Sequence, residues 1–223
     1  MSIGARQDFL RYNVLMNKRL FLIGARLFFA TLTVAAIVAQ LLYSSQYSIS
    51  FSLVNFFSFF TILSNVFVTI VFVMSAFYLA IGRKSTPADD VLRGASVLYM
   101  AVTGIVYTLL LLGTDVDLTL PWVNLQLHYI MPIVVVVDWL YQPQRNKLTL
   151  RSITPWLLFP ALYLVYTLVR GPIVGWYPYP FLDPSKVGGY GSVALYSVGI
   201  LAALLGIGFA LMKLGNALKR RVV

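Results

Sequence analysis

The chain has 223 residues, 60% of them hydrophobic and only 11% charged, with a net charge of +10 and no cysteine. That balance excludes a water-soluble domain of this length, and the missing thiols exclude a disulfide framework, a thiolate metal site and a cysteine nucleophile. No series of roughly ten-residue segments alternating apolar and polar positions is present, which excludes a membrane β-barrel.

What remains is an all-α integral membrane protein. A helix needs roughly 20 apolar residues to cross a bilayer core, and six windows meet or approach that length: 20–43, 53–81, 92–113, 121–141, 153–170 and 191–212. They predict one domain over residues 1–223, a bundle of six transmembrane helices with both termini on one side. The first window follows basic residues, as a signal sequence would. Its apolar run is too long and lacks a small-residue cleavage site, so it is read as a retained span.

Charge sets the orientation. Arg6, Arg11, Lys18 and Arg19 precede span one, and Arg83, Lys84 and Arg93 lie between spans two and three. Arg145, Lys147 and Arg151 join spans four and five, and Lys213, Lys219, Arg220 and Arg221 follow span six. The opposite face has only Arg170 and Lys186. The basic face is expected to be cytoplasmic, in a bacterial inner membrane. Dispersal of the positive charge over short flanking segments points to anionic lipid headgroups as its partners, with no nucleic acid.

Span one carries Arg26, about 9 Å inside its cytoplasmic end at 1.5 Å per residue. Span two opens with NFFSFFTILSN, residues 55–65, in which Asn55, Ser58, Thr61 and Asn65 recur at helical spacing. Span four reads NLQLHYIMPIVVVVDWL and holds the only histidine, His128, together with Asp138. Asp138 lies about 6 Å inside the cytoplasmic end, at the depth of Arg26, which predicts a structural ion pair between them. Under that pairing, Arg26→Met alone is expected to harm folding more than the Arg26→Met/Asp138→Leu double change. His128 lies about 15 Å from Asp138 along the helix and so has no triad carboxylate there.

Thr61 and His128 fall at one level, roughly 10 to 12 Å below the outer ends of their spans. A threonine hydroxyl becomes a nucleophile when a base takes its proton, and imidazole suits that task near neutral pH. Asn55, Ser58, Ser64 and Asn65 are then candidates to bind substrate or an oxyanion. The same residue types also join membrane helices, each hydrogen bond contributing about 0.6 kcal/mol. Spacing alone leaves both readings open.

The connection of spans five and six, RGPIVGWYPYPFLDPSKVGGYG, is either an aromatic belt at headgroup depth or a proline-stiffened lid over an outward pocket. Internal repeats of the kind that mark many transporters are not evident. One histidine and no glutamate make a metal site improbable, and no cofactor is expected.

NFFSFFTILSN on span two, LHYIMP with the Asp138-Trp139 pair on span four, and WYPYPFLDP in the outer segment together resemble the androgen-induced protein family, in its bacterial branch. That family includes androgen-dependent TFPI-regulating protein, and the resemblance runs from span one to span six. It implies an intramembrane threonine hydrolase, which in animal members cleaves fatty acid esters of hydroxy fatty acids. By the same resemblance the nucleophile falls on Thr61 and the essential histidine on His128. Asn124, one turn before His128, and Tyr179 are candidates to orient the imidazole. The substrate would be a membrane lipid or fatty acyl ester. A transporter or a non-catalytic lipid-binding protein is the alternative.

Overall fold

The computed structural model describes residues 3–49, 51–114 and 120–222, and every element among them is helical. α1 is Ile3–Tyr47, α2 the single turn Leu53–Phe56, and α3 Phe60–Ala80. α4, Pro87–Val106, continues through a π-helical turn at Tyr107–Leu111. The fourth span is composite: α5, Pro121–Leu125, a π turn at Gln126–Ile130, and α6, Met131–Tyr141. α7 is Leu150–Val174, α8 Pro184–Val187 and α9 Tyr190–Val222.

Six helical units are long and apolar enough to cross a membrane. The protein is a multi-pass, all-α membrane bundle whose two ends lie on one side. α4 is its axis, packing against α3, α6, α7 and α9, while α1 lies along α3. The main core joins Val68 and Phe72 of α3, Leu98 and Met100 of α4, Trp139 of α6 and Trp156 of α7. Trp156 is fully enclosed and donates its indole N–H to the Val91 carbonyl at 2.8 Å. Its ring lies where a Cβ on Gly94 would be, so that glycine sets how closely α4 and α7 approach.

Local sequence explains most helix ends. Thr86 and Asp89 form a reciprocal capping box with Pro87 in the first turn of α4. Thr149 and Ser152 do the same for α7, which ends at Gly175 with φ 66°. Near the termini, Asp90 accepts from Ser85 Oγ, the Arg145 and Asn146 amides and Asn146 Nδ2. One buried carboxylate thus ties two connections together.

Span two departs from the continuous helix expected over 53–81. The chain leaves helical geometry after Phe56 and re-enters it at Phe60, with Phe59 extended at φ −75° and ψ 127°. No proline or glycine causes the break. Tertiary partners hold it: the Tyr163 hydroxyl donates to the Ser58 carbonyl at 2.9 Å, and the Phe59 ring packs edge-on against Trp176 and Tyr179. Thr61 therefore stands in the first turn of α3 rather than in mid-helix.

The outer segment folds inward. Tyr179, Phe181 and Leu182 are each more than 90% buried, and Pro180–Leu182 form one 3-10 turn. Tyr177 lies over Gly171, where a Cβ would collide with its ring. This arrangement fits a lid better than a belt spread along the interface.

Candidate active site

The break before α3 creates the site. The first intrahelical bond runs from the Leu63 amide to the Phe59 carbonyl, so the amides of Phe60, Thr61 and Ile62 have no acceptor within the helix. Phe59, the N-cap, offers no side-chain acceptor. Tyr179 from the outer segment supplies one, since the Thr61 N–H donates to its hydroxyl oxygen at 3.2 Å. The free amides and the helix dipole give this corner a positive character.

Thr61 Oγ1 lies 3.3 Å from His128 Nε2 and 3.3 Å from the Tyr179 hydroxyl. His128 Nδ1 lies 3.3 Å from the Asn124 carbonyl. A carbonyl oxygen only accepts, so Nδ1 carries the proton and Nε2 of the neutral ring presents its lone pair to Thr61. The hydrogen bonds then run in one direction: Tyr179 O–H to Thr61 Oγ1, Thr61 O–H to His128 Nε2, and His128 Nδ1–H to the Asn124 carbonyl. Distances of 3.3 Å are long for hydrogen bonds between these atoms.

The π turn at Gln126–Ile130 aims His128. Pro132 has no N–H to give the His128 carbonyl, which a regular helix would require, and the wider turn accommodates the loss. That carbonyl lies 3.3 Å from where a Cβ would stand on Gly104, so a glycine in α4 lets the turn approach closely. Tyr107 stacks on the imidazole with ring centroids 4.0 Å apart, and its hydroxyl accepts from Asn124 Nδ2 at 2.6 Å. Tyr107 was not legible from spacing in span three.

The other candidates separate. Asn55 accepts from Arg170 at 2.6 Å, and Ser58 Oγ donates to the Val54 carbonyl at 2.7 Å and pairs with the Tyr166 hydroxyl. Asn55 precedes the helix break and Ser58 lies within it, and both bond α7 rather than Thr61. Ser64 is fully buried and lines neither cavity at Thr61. Asn65 Nδ2 donates to the Thr61 and Leu127 carbonyls, which joins the threonine-bearing helix to the histidine-bearing turn and leaves that amide no proton for an oxyanion. Asn124 holds the imidazole through its main-chain carbonyl, its side chain going to Tyr107. Tyr179 bonds Thr61 rather than the ring.

The remaining donors near Thr61 are the Ile62 amide and the Tyr179 hydroxyl. Burial pushes the Tyr179 phenol above its ordinary range, against the opposing pull of its bonds to Thr61 and the Phe60 amide, so it remains a neutral O–H donor. Were Thr61 to act as a nucleophile, its acylation would free that proton to turn to an adjacent oxyanion. Under that reading Tyr179→Phe is expected to lower kcat roughly 10²-fold with KM little changed. Steady-state kinetics on a soluble acyl ester provide the check, and an effect confined to KM would contradict a transition-state role.

Arg26 and Asp138 meet at the other end of the bundle. Arg26 Nε donates to Asp138 Oδ1 at 2.7 Å and its Nη2 to Oδ2 at 2.9 Å, a bidentate pair, with a further bond to Gln142. Arg93, assigned from sequence to the loop charges, also reaches Asp138 Oδ2 at 3.1 Å and the Gln142 carbonyl at 2.8 Å. The expected pair is thus a triad of two guanidiniums on one carboxylate.

Two cavities converge on Thr61. One, of about 350 Å³, is bounded by α4, α7, α9 and the outer segment, and its walls include Val102, Val106, Leu164 and Leu204. The other, of about 100 Å³, is lined by His128, Asn124, Gln40, Ser44 and Thr114. Thr61, Tyr107, Leu111 and Tyr179 belong to both. No protein-family model, no curated protein and no solved structure matches the chain.

Proposed function

We propose that the protein is an intramembrane hydrolase of lipid esters, with Thr61 as nucleophile and His128 as general base, acting in a bacterial inner membrane. The observation that carries this reading is the directed chain Tyr179–Thr61–His128–Asn124 at a helix N-terminus, open to an apolar cavity. The resemblance of the same residues to the androgen-induced protein family supports it.

In the reaction, an acyl ester places its carbonyl carbon at Thr61 Oγ1. His128 Nε2 takes the hydroxyl proton as the new C–O bond forms, and the Ile62 amide and Tyr179 hydroxyl stabilise the oxyanion. The imidazolium, held by the Asn124 carbonyl, returns its proton to the departing alkoxide. Water, deprotonated by the same nitrogen, then cleaves the acyl-threonine and releases a fatty acid.

Transport is the weaker reading. Among the described residues, neither cavity at Thr61 is lined by Arg26, Arg93 or Asp138, so these cavities do not connect Thr61 to the charged triad at the other end. Purified protein in lipid nanodiscs is expected to release free fatty acid from long-chain acyl esters. Release no greater than that of empty nanodiscs would contradict the assignment.

A further inference from the structure

We infer that the two cavities meeting at Thr61 hold opposite halves of one substrate, a long-chain acyl ester of a small polar alcohol, with the acyl chain in the apolar cavity and the alcohol beside His128. This rests on the hydrolase reading. The assignment follows from where the proton must go.

Thr61 lines both cavities, but His128 lines only the smaller one. During acylation the bond between carbonyl carbon and alcohol oxygen breaks, and that oxygen leaves with the proton His128 took from Thr61. The alcohol oxygen must therefore lie within reach of Nε2, on the small-cavity side. The acyl chain, on the other substituent of the same carbon, is directed to the opposite side. When the alcohol departs, the space it vacates is where water can reach both His128 and the acyl carbon. Atoms balance: ester and threonine give acyl-threonine and alcohol, then water gives the acid and regenerates Thr61.

The walls agree with this division. The larger cavity is apolar and reaches Ala161, Val198 and Leu201, which are exposed on the lipid-facing surfaces of α7 and α9. The smaller holds the polar side chains of Gln40, Ser44 and Asn124 and reaches Thr114, an exposed residue beyond the end of the third span. One cavity thus opens towards lipid and the other towards the outer surface. Size separates them further. At roughly 30 Å³ for a group the size of water or a methylene, about 350 Å³ holds around a dozen chain carbons and about 100 Å³ holds around three small groups. Glycerol, with six heavy atoms, fills the smaller cavity and extends past the exposed Thr114 towards the outer surface, where a second long chain, as in an ester of a hydroxy fatty acid, would have to leave its apolar surroundings.

The kinetic test compares kcat/KM for palmitoyl and butyryl monoesters of glycerol, and for palmitoyl esters of glycerol and of hydroxystearic acid. The wild-type protein is expected to prefer glycerol palmitate in both comparisons. Ser197→Phe, which fills the larger cavity, is expected to lower the palmitoyl-to-butyryl ratio about tenfold. Thr114→Trp, at the mouth of the smaller one, should leave that ratio unaltered. A preference for the hydroxystearate ester, or a ratio that responds to Thr114→Trp and not to Ser197→Phe, would overturn the division.

A second measurement does not need turnover. A glycerol monopalmitate analogue with a diazirine at the chain terminus is photolysed with the Thr61→Ala protein, and adducts are mapped by mass spectrometry. Adducts on residues 157–164 or 197–204 are expected. Adducts on residues 40–44 or 123–127, or no specific adduct, would overturn the inference. Adducts in the expected place on a protein without esterase activity would retain the acyl site and reject the hydrolase.

Discussion

Thr61→Ala and His128→Ala are each expected to lower ester hydrolysis by roughly 10²- to 10⁴-fold, the range for loss of a nucleophile's activation by a positioned base. The two losses should not add, because the residues act as one unit and the second substitution removes little once the first is made. His128→Gln is a sharper probe than alanine. Its amide can fill part of the space but offers no basic nitrogen, so a folded, inactive protein is the expected result. Initial rates on one ester for wild type, both single variants and the double variant supply the measurement. Additive losses would mean that the 3.3 Å contact between Thr61 Oγ1 and His128 Nε2 is not the productive one.

Asp138→Leu is expected to be the most damaging change at the opposite end, costing about 3–5 kcal/mol. It would leave Arg26, 1% exposed, and Arg93, 8% exposed, facing each other without a carboxylate. Arg26→Met should cost less, because Arg93 still neutralises Asp138 at 3.1 Å. The Arg26→Met/Asp138→Leu double variant strands one buried guanidinium and should fall between these. This reverses the order expected from an isolated pair, in which the double change is milder than Arg26→Met. Thermal unfolding in a single detergent gives the ranking, and a double variant more stable than Arg26→Met would restore the simple pair.

Much of this was legible in the sequence, for identifiable reasons. The spans follow from apolar length, and residues 121–141 coincide with the observed unit because Pro121 begins it and the polar Gln142 follows it. His128, Arg26 and Asp138 could be sorted by depth because rise per residue is nearly constant along a helix, and Thr61 meets His128 although the count to it crosses the break. The helix break at Phe57–Phe59 could not, since FFSFF contains no breaker and the bend is imposed by Tyr163, Trp176 and Tyr179 from distant parts of the chain. Missing the break placed Asn55 and Ser58 on the wrong side of the site. It also hid the Ile62 amide left without an acceptor at the start of α3, a donor of the kind expected from the polar side chains. Arg93 escaped for a similar reason. Counting it among loop charges ignored that a helix beginning at Pro87 carries it inward to Asp138.

A long-chain fluorophosphonate probe tests the central claim most directly, because it reports nucleophile, base and acyl cavity together. On the purified wild-type protein the account predicts a single adduct, located by mass spectrometry on Thr61 and absent from folded Thr61→Ala and His128→Ala proteins. Labelling that persists in both variants, or an adduct on any other residue, would contradict it.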